Sequence, residues 1–522
     1  TSNFRAGVNA GNSIASGGQY NVVVGDEAGT AITTGDENTF VGYTSGDATT
    51  TASGNTALGF SALTTNILGS RSVAIGRAAL QVQNPASAVN MYNVAVGHGA
   101  GEAVTTGTLN TLIGGLAGDA LTTGNANTAV GYLALSTEDA HGYNTAIGHS
   151  ALTTQNAGAD AYNVALGYYS GFAVTTGVRN TLIGGRSGDA LTDADDNVAV
   201  GDNALGSDTL GSKSTAIGQG ALYAQNFTSA SDSFNTAVGY NAGAAITVGV
   251  QNTFIGALAG DALTEGARSV AVGKSALGAD TEGARNVAIG YAALESQNFT
   301  SGTDSYNVAV GYGAGSAITT GIKNTLLGGL AGDAITDADS NVAIGYESLT
   351  VNVLGSKSVA VGQGSLSDQN PASAADMYNT AVGFNAGASV STGTLNTLIG
   401  GLAGDAITTG ASNVAVGYRS LSATTTASSN TAIGVDALTS NTTGTSNTAV
   451  GRDTLNQQTT ASYNTALGHQ ALNLNTSGAN NTASGYKALY ANTTGERNVA
   501  VGASALDANT TGTYGVAIGY SA

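Results

Sequence analysis

The sequence predicts an all-β fold, a parallel β-solenoid (β-roll) of about thirty stacked coils with a 17-residue repeat. Three observations lead there. First, a motif Asn–(Thr/Val)–(Ala/Leu)–aliphatic–Gly recurs from Gly25 to Gly519. Of its 28 spacings, 23 equal one 17-residue step, as from Gly114 to Gly131, with four of 21 and one of 19. Chance does not hold such a register over the whole chain. Second, β-branched residues stand at alternate positions of the motif, as in a short strand. Third, the composition suits tight stacks and sharp turns: 77 Gly and 2 Pro in 522 residues, 42% hydrophobic and only 9% charged, against about 25% charge in an ordinary globular chain.

Each coil is numbered here from the motif Asn as position 1, so the motif Gly is position 5. Position 1 is Asn in 24 of 29 coils, with Ser72, Ser214, Ser269, Ser358 and Gly515 as the exceptions. An amide ladder along the stack is therefore expected, each Asn supporting the next. Position 2 is Val or Thr throughout, and position 4 is aliphatic except at Ser484. These two rows are expected to face a continuous dry interior that no single coil can bury alone. Position 3 then points the other way. It is usually Ala but becomes Phe40, Leu112, Leu182, Phe254, Leu326 and Leu398 in every fourth coil. Two readings of this row are open: an outer face where the six large residues anchor a second subunit, or a second small core within the same coil.

After the Gly the coils are of two kinds. One reads like Tyr132–Leu133–Ala134–Leu135, the other like Gly115–Leu116–Ala117–Gly118–Asp119–Ala120–Leu121. The large aliphatic sits at position 9 or at position 12, as if one core slot were filled from two backbone paths, the extra Gly permitting a bulge. Extra-long coils end at Gly97, Gly167, Gly239, Gly311 and Gly383. They mark a 72-residue, four-coil unit, as from Gly239 to Gly311, which is two residues shorter between Gly97 and Gly167. The insertions stop after residue 416. Two regions are expected: a decorated solenoid over 1–416 and a plain one over 417–522. No polar cap is visible at either end, so capping is expected from a longer chain or from partner chains.

Several functions are disfavoured. A net charge of −19 with only 15 Lys and Arg argues against nucleic acid as a partner. No stretch of 18 apolar residues exists, so no membrane span is expected. Without Cys, disulfides do not hold the fold. The four histidines, His98, His141, His149 and His469, show no arrangement for a metal site or a nucleophile–base pair. No catalytic residue, cofactor or metal is expected, and the chain is read as a non-enzyme.

The pattern Ser72–Val73–Ala74–Ile75–Gly76, repeated as Ser269–Val270–Ala271–Val272–Gly273, resembles the head repeats of trimeric autotransporter adhesins of the YadA-like type. Plain coils such as Asn447–Thr448–Ala449–Val450–Gly451 are similar to repeats of phage tail fibres and bacterial fibre proteins. The resemblance covers nearly the whole chain. It implies a left-handed roll, a homotrimer and attachment to a surface. The 17-residue repeat is longer than usual for the adhesin heads, and no stalk or anchor follows.

Three sets of residues are candidates for contact with something else. The insertions open with Gln83–Asn84, Gln155–Asn156, Gln225–Asn226, Gln297–Asn298 and Gln369–Asn370, and close with Tyr92, Tyr162, Phe234, Tyr306 and Tyr378. Two residues before each aromatic stands Asn90, Asp160, Asp232, Asp304 or Asp376. Such a row fits a multivalent glycan-binding face; the preferred reading is that the aromatics pack down to seat the loops. Asn226–Phe227–Thr228 and Asn298–Phe299–Thr300 match a glycosylation sequon. The second set is Asp47, Asp119, Asp189, Asp261, Asp333 and Asp405, one per four coils. At about 19 Å apart they do not share a calcium ion, and each is expected to bond turn amides instead. The third is the position-3 row given above.

The expected function is the structural shaft of an extracellular, cell-surface or virion fibre, associating with itself and meeting a surface glycan or protein receptor. A self-assembling filament subunit without a receptor is the alternative. Ice binding is disfavoured, because the Thr row at position 2 is interrupted by Val and expected to be buried.

Overall fold

A computed structural model describes residues 2–522. They contain strands, turns and bends and no helix. The chain folds as two compact units that meet in sequence between Glu265 and Gly266, and both are built alike. The sequence change at residue 416 falls inside the second.

Every coil contributes one three-residue strand, positions 2 to 4. In the first unit these run from Phe4–Ala6 to Thr253–Ile255, and in the second from Val270–Val272 to Val516–Ile518. Consecutive strands pair in parallel and in register, like residues opposite like: Thr128, Ala129 and Val130 oppose Thr145, Ala146 and Ile147. Val414, Ala415 and Val416 oppose Thr431, Ala432 and Ile433 in the same way. The Phe4–Ala6 strand is a coil more than the motif count gives, since Asn3–Phe4–Arg5–Ala6–Gly7 departs from the consensus but pairs with Val22–Val24. The parallel β-solenoid with its 17-residue repeat is thus the observed fold.

The motif Gly ends each strand in a conformation only glycine holds easily. Gly131 has φ +139°, and a Cβ there would lie 2.2 Å from the carbonyl oxygen of Gly148 in the next coil. The stack closes too tightly at this corner for any side chain.

The faces of the strand are reversed from expectation. Position 3 points inward: Ala129, Ala146 and Ala432 are fully buried, as are Phe40, Leu112, Leu182, Phe254, Leu326 and Leu398. Positions 2 and 4 point outward and are only partly covered. The physical reason is volume. A 17-residue coil is narrow, and a row of Ala fits inside where two rows of β-branched residues do not. The β-branched rows instead pack on one another along the pleated outer surface.

A single backbone path serves both kinds of coil, so the expected bulge is absent. Position 9 is left-handed whether it is Leu135 (φ 53°) or Gly118 (φ 57°). What changes is the source of the filling. Where position 9 is Leu, its side chain occupies the core and position 12 is a buried polar residue such as Asn66 or Asp208. Where it is Gly, the position-12 aliphatic and the large position-3 residue take the space. A Cβ on Gly118 would stand 2.8 Å from both Leu112 Cδ2 and Leu121 Cδ1.

The Asn ladder forms as expected, with one detail added. Most of the amides span two bonds: Asn110 Nδ2 donates to the carbonyl of Gly124 at 2.8 Å, while its Oδ1 accepts from the main-chain N–H of Asn127 at 2.9 Å. In the second unit Asn430 bonds Gly444 and Asn447 in the same manner. These fully buried side chains satisfy backbone groups that the strands leave open.

Candidate functional site

Four of the five insertions lie against the preceding coil through a two-residue parallel ladder, for example Gly211–Ser212 with Ser231–Asp232. Their opening glutamines are not on the surface. Gln83, Gln155, Gln225, Gln297 and Gln369 are fully buried, so none of them is free to meet a ligand. Gln83 exchanges hydrogen bonds with Ser72 and accepts one from Asn93 at 2.9 Å; Gln225 donates to Asp208 at 2.6 Å and accepts from Asn235 at 2.8 Å. The long polar side chain is there to bridge the coil that the insertion widens.

Asn84, Asn156, Asn226, Asn298 and Asn370 are exposed, as are Tyr92, Tyr162, Phe234, Tyr306 and Tyr378. Each aromatic rests on the residue one coil earlier, just before its position 1. Arg71 lies over Tyr92 with Cζ 5.6 Å from the ring centre, and its Nη1 donates to the Tyr92 hydroxyl at 2.7 Å. Lys213 sits 5.3 Å over Phe234 and 2.5 Å from Asp232. Arg285 covers Tyr306 and pairs with Asp304; Lys357 covers Tyr378 and lies 2.6 Å from Asp376. In the 19-residue coil the cation is replaced by Tyr143, stacked on Tyr162 at 5.1 Å and 11°. The hydrogen bond from Lys357 holds the Asp376 carboxyl below the usual carboxylate range. Asp232, Asp304 and Asp376, which look free in the sequence, are thus spent on the clamp, and each aromatic residue stays about half exposed.

The residue before position 1 is left-handed throughout, as at Arg71, Tyr92, Arg179 and Lys213. This column holds Arg71, Arg179, Lys213, Arg268, Arg285, Lys323, Lys357 and Arg497, more than half of the chain's cations. Position 6, on the other side of the strand, collects aromatics and histidines: Tyr43 and Phe60 stack at 5.5 Å, Tyr291 and Tyr312 at 5.4 Å, and His149 lies 5.5 Å from both Tyr132 and Tyr168. Between the two columns run the outward rows of the strand. Position 2 is half-covered Thr or Val, which removes the expected burial of that Thr row. Position 4 is a partly exposed aliphatic row, reaching 46% at Leu58 and 39% at Ile433. Each unit therefore carries a sheet face with an uncovered Val/Ile/Leu ladder beside an aromatic one.

No family model and no curated protein matches the chain.

The six aspartates of the four-coil period are half-buried in their turns. Burial pushes the carboxyls of Asp47, Asp119, Asp189, Asp261 and Asp405 up, and Oδ1 of Asp47, Asp119 and Asp405 has no hydrogen-bond partner. Asp333 differs in accepting from Thr350 Oγ1 at 2.6 Å. Among the described residues, the one group of three potential metal-ligating side chains lies elsewhere, at Glu138, Asp139 and His141, whose donor atoms are within 4.8 Å of one another. In the sequence no histidine has an evident ligand partner, whereas the fold brings His141 beside Glu138 and Asp139. The signal was present as two broken columns: His141 is the one histidine outside position 6, and Glu138 the one glutamate at position 12.

Proposed function

We propose that the chain is the non-enzymatic shaft of a homo-oligomeric fibre, exported to a cell or virion surface and serving attachment. The observation that carries this reading is the outward sheet face, whose position-4 ladder stays partly exposed in coil after coil and is well exposed at positions such as Leu58, Ile255 and Ile433. Aliphatic rows of that regularity are costly in water, and covering them against a second copy removes the cost. A like copy is the natural occupant because the face repeats with every coil and so offers a self-matching surface. The YadA-like resemblance points to three copies. The insertions carry the exposed Asn and aromatic side chains through which such a fibre meets a glycan or protein receptor.

Mass measurement by sedimentation of the purified full chain tests the proposal. A trimer is expected. A chain that stays monomeric at tens of micromolar leaves the face uncovered and removes the fibre reading.

A further inference from the structure

We infer that Glu138, Asp139 and His141 form a binding site for a divalent transition-metal cation of the zinc class. The three lie in one turn, Thr137–Glu138–Asp139–Ala140–His141, in the coil before the 19-residue one. His141 is partly exposed, Asp139 is exposed and Glu138 is fully buried, so the site has a fixed floor and an open mouth. The main-chain N–H of His141 donates to Glu138 Oε1 at 3.1 Å, holding the carboxylate beneath the imidazole. His141 Nδ1 stands 3.3 Å from the same oxygen. Two ligands of a tetrahedral zinc, each about 2.0–2.1 Å from the ion, stand roughly 3.3 Å apart. The pair thus already has the spacing of one edge of such a site, and Asp139 turns in from solvent as the third ligand.

A second observation points the same way. Glu138 Oε2 is buried and has no hydrogen-bond partner. Carboxylates at the same position of other coils are satisfied: Asp208 and Asp280 each take main-chain N–H bonds on one oxygen and a glutamine Nε2 on the other, at 2.6 Å. Beside Glu138 the corresponding glutamine of the next coil, Gln155, leaves its Nε2 unbonded. A buried carboxylate with one oxygen left unpaired is well placed to take a cation there. One imidazole with two carboxylates selects zinc, cobalt or nickel over calcium and magnesium, which want an all-oxygen shell and more ligands.

The test is titration of the untagged, chelator-treated full chain with zinc chloride by calorimetry, and with cobalt chloride by visible absorption. One saturable zinc per chain in the micromolar range is expected, with a tetrahedral cobalt spectrum and no competition from excess calcium or magnesium. His141→Asn and Asp139→Asn should each weaken binding tenfold or more while far-UV circular dichroism is unchanged; both residues reach the surface, so neither change empties the core. No saturable zinc binding, or equally tight binding by His141→Asn, overturns the assignment, the latter moving the metal to another histidine.

Discussion

At the scale of single residues, most buried polar groups take their partners from the stack. The Asn row is the clearest case, and it was legible: an amide at nearly every strand start, repeated coil after coil, has few other uses. The glutamines of the insertions were not legible, because Gln–Asn beside a loop reads as a polar surface until the coil is seen to widen and need a bridge. Asp119 is the instructive exception. Its Oδ1 has no partner, and burial raises its carboxyl with Glu102 adding a smaller repulsion. A carboxyl raised in the folded state favours folding while protonated, below the unfolded value near 3.8, and that contribution is lost as pH rises through the folded value. At neutral pH the charged side chain is therefore a burden. Asp119→Asn should raise the thermal midpoint at about pH 7, and the gain should shrink away by about pH 3. A neutral or lower midpoint at pH 7 would show that the side chain is wet and the burden absent.

At the scale of the coil, the fold is a volume problem solved in two ways. The repeat length, the strand and the stacking were all written in the period, but the inward face was not. Alternation gives two faces and does not say which is inside; Val and Ile at positions 2 and 4 suggested the wrong one. The deciding quantity was coil width, which favours Ala129 inside and leaves Val130 out. The large position-3 residues then make sense as fillers between glycines rather than as anchors for a second subunit. Leu112 lies between Gly101 and Gly118, whose Cβ atoms would stand 2.6 and 2.8 Å from its terminal carbons. Leu112→Ala should cost about 3 kcal/mol through the cavity it opens. Gly101→Ala should destabilise the wild type but do less harm, or none, once Leu112 is Ala. Chemical denaturation of the four proteins in this cycle gives the coupling, expected at about 1–2 kcal/mol in favour of the double variant. Strict additivity would mean that the two positions fill separate spaces.

At the scale of the whole molecule, what stands out is the contrast between a net charge of −19 and a sheet face with bare aliphatic rows. Like-charged copies repel, whereas the proposed contact through apolar ladders would not be held by charge. Added salt screens the repulsion within about 10 Å at 0.1 M. Association of the full chain should therefore strengthen as salt rises from about 0.02 to 0.3 M, the reverse of an interface held by ion pairs. The cation column beside the strand does not alter the sign, because Lys213, Arg285 and Lys357 are already paired with their own insertions. Replacing Ile399 and Ile433 together by Lys places two charges in the middle of the position-4 ladder, on side chains that already point to solvent, so each copy should still fold. Sedimentation equilibrium at both salt levels should then find the variant dissociated where the wild type is assembled. If the variant assembles as tightly as the wild type, or if salt weakens the wild-type assembly, the copies meet through some other surface and the face has a different occupant.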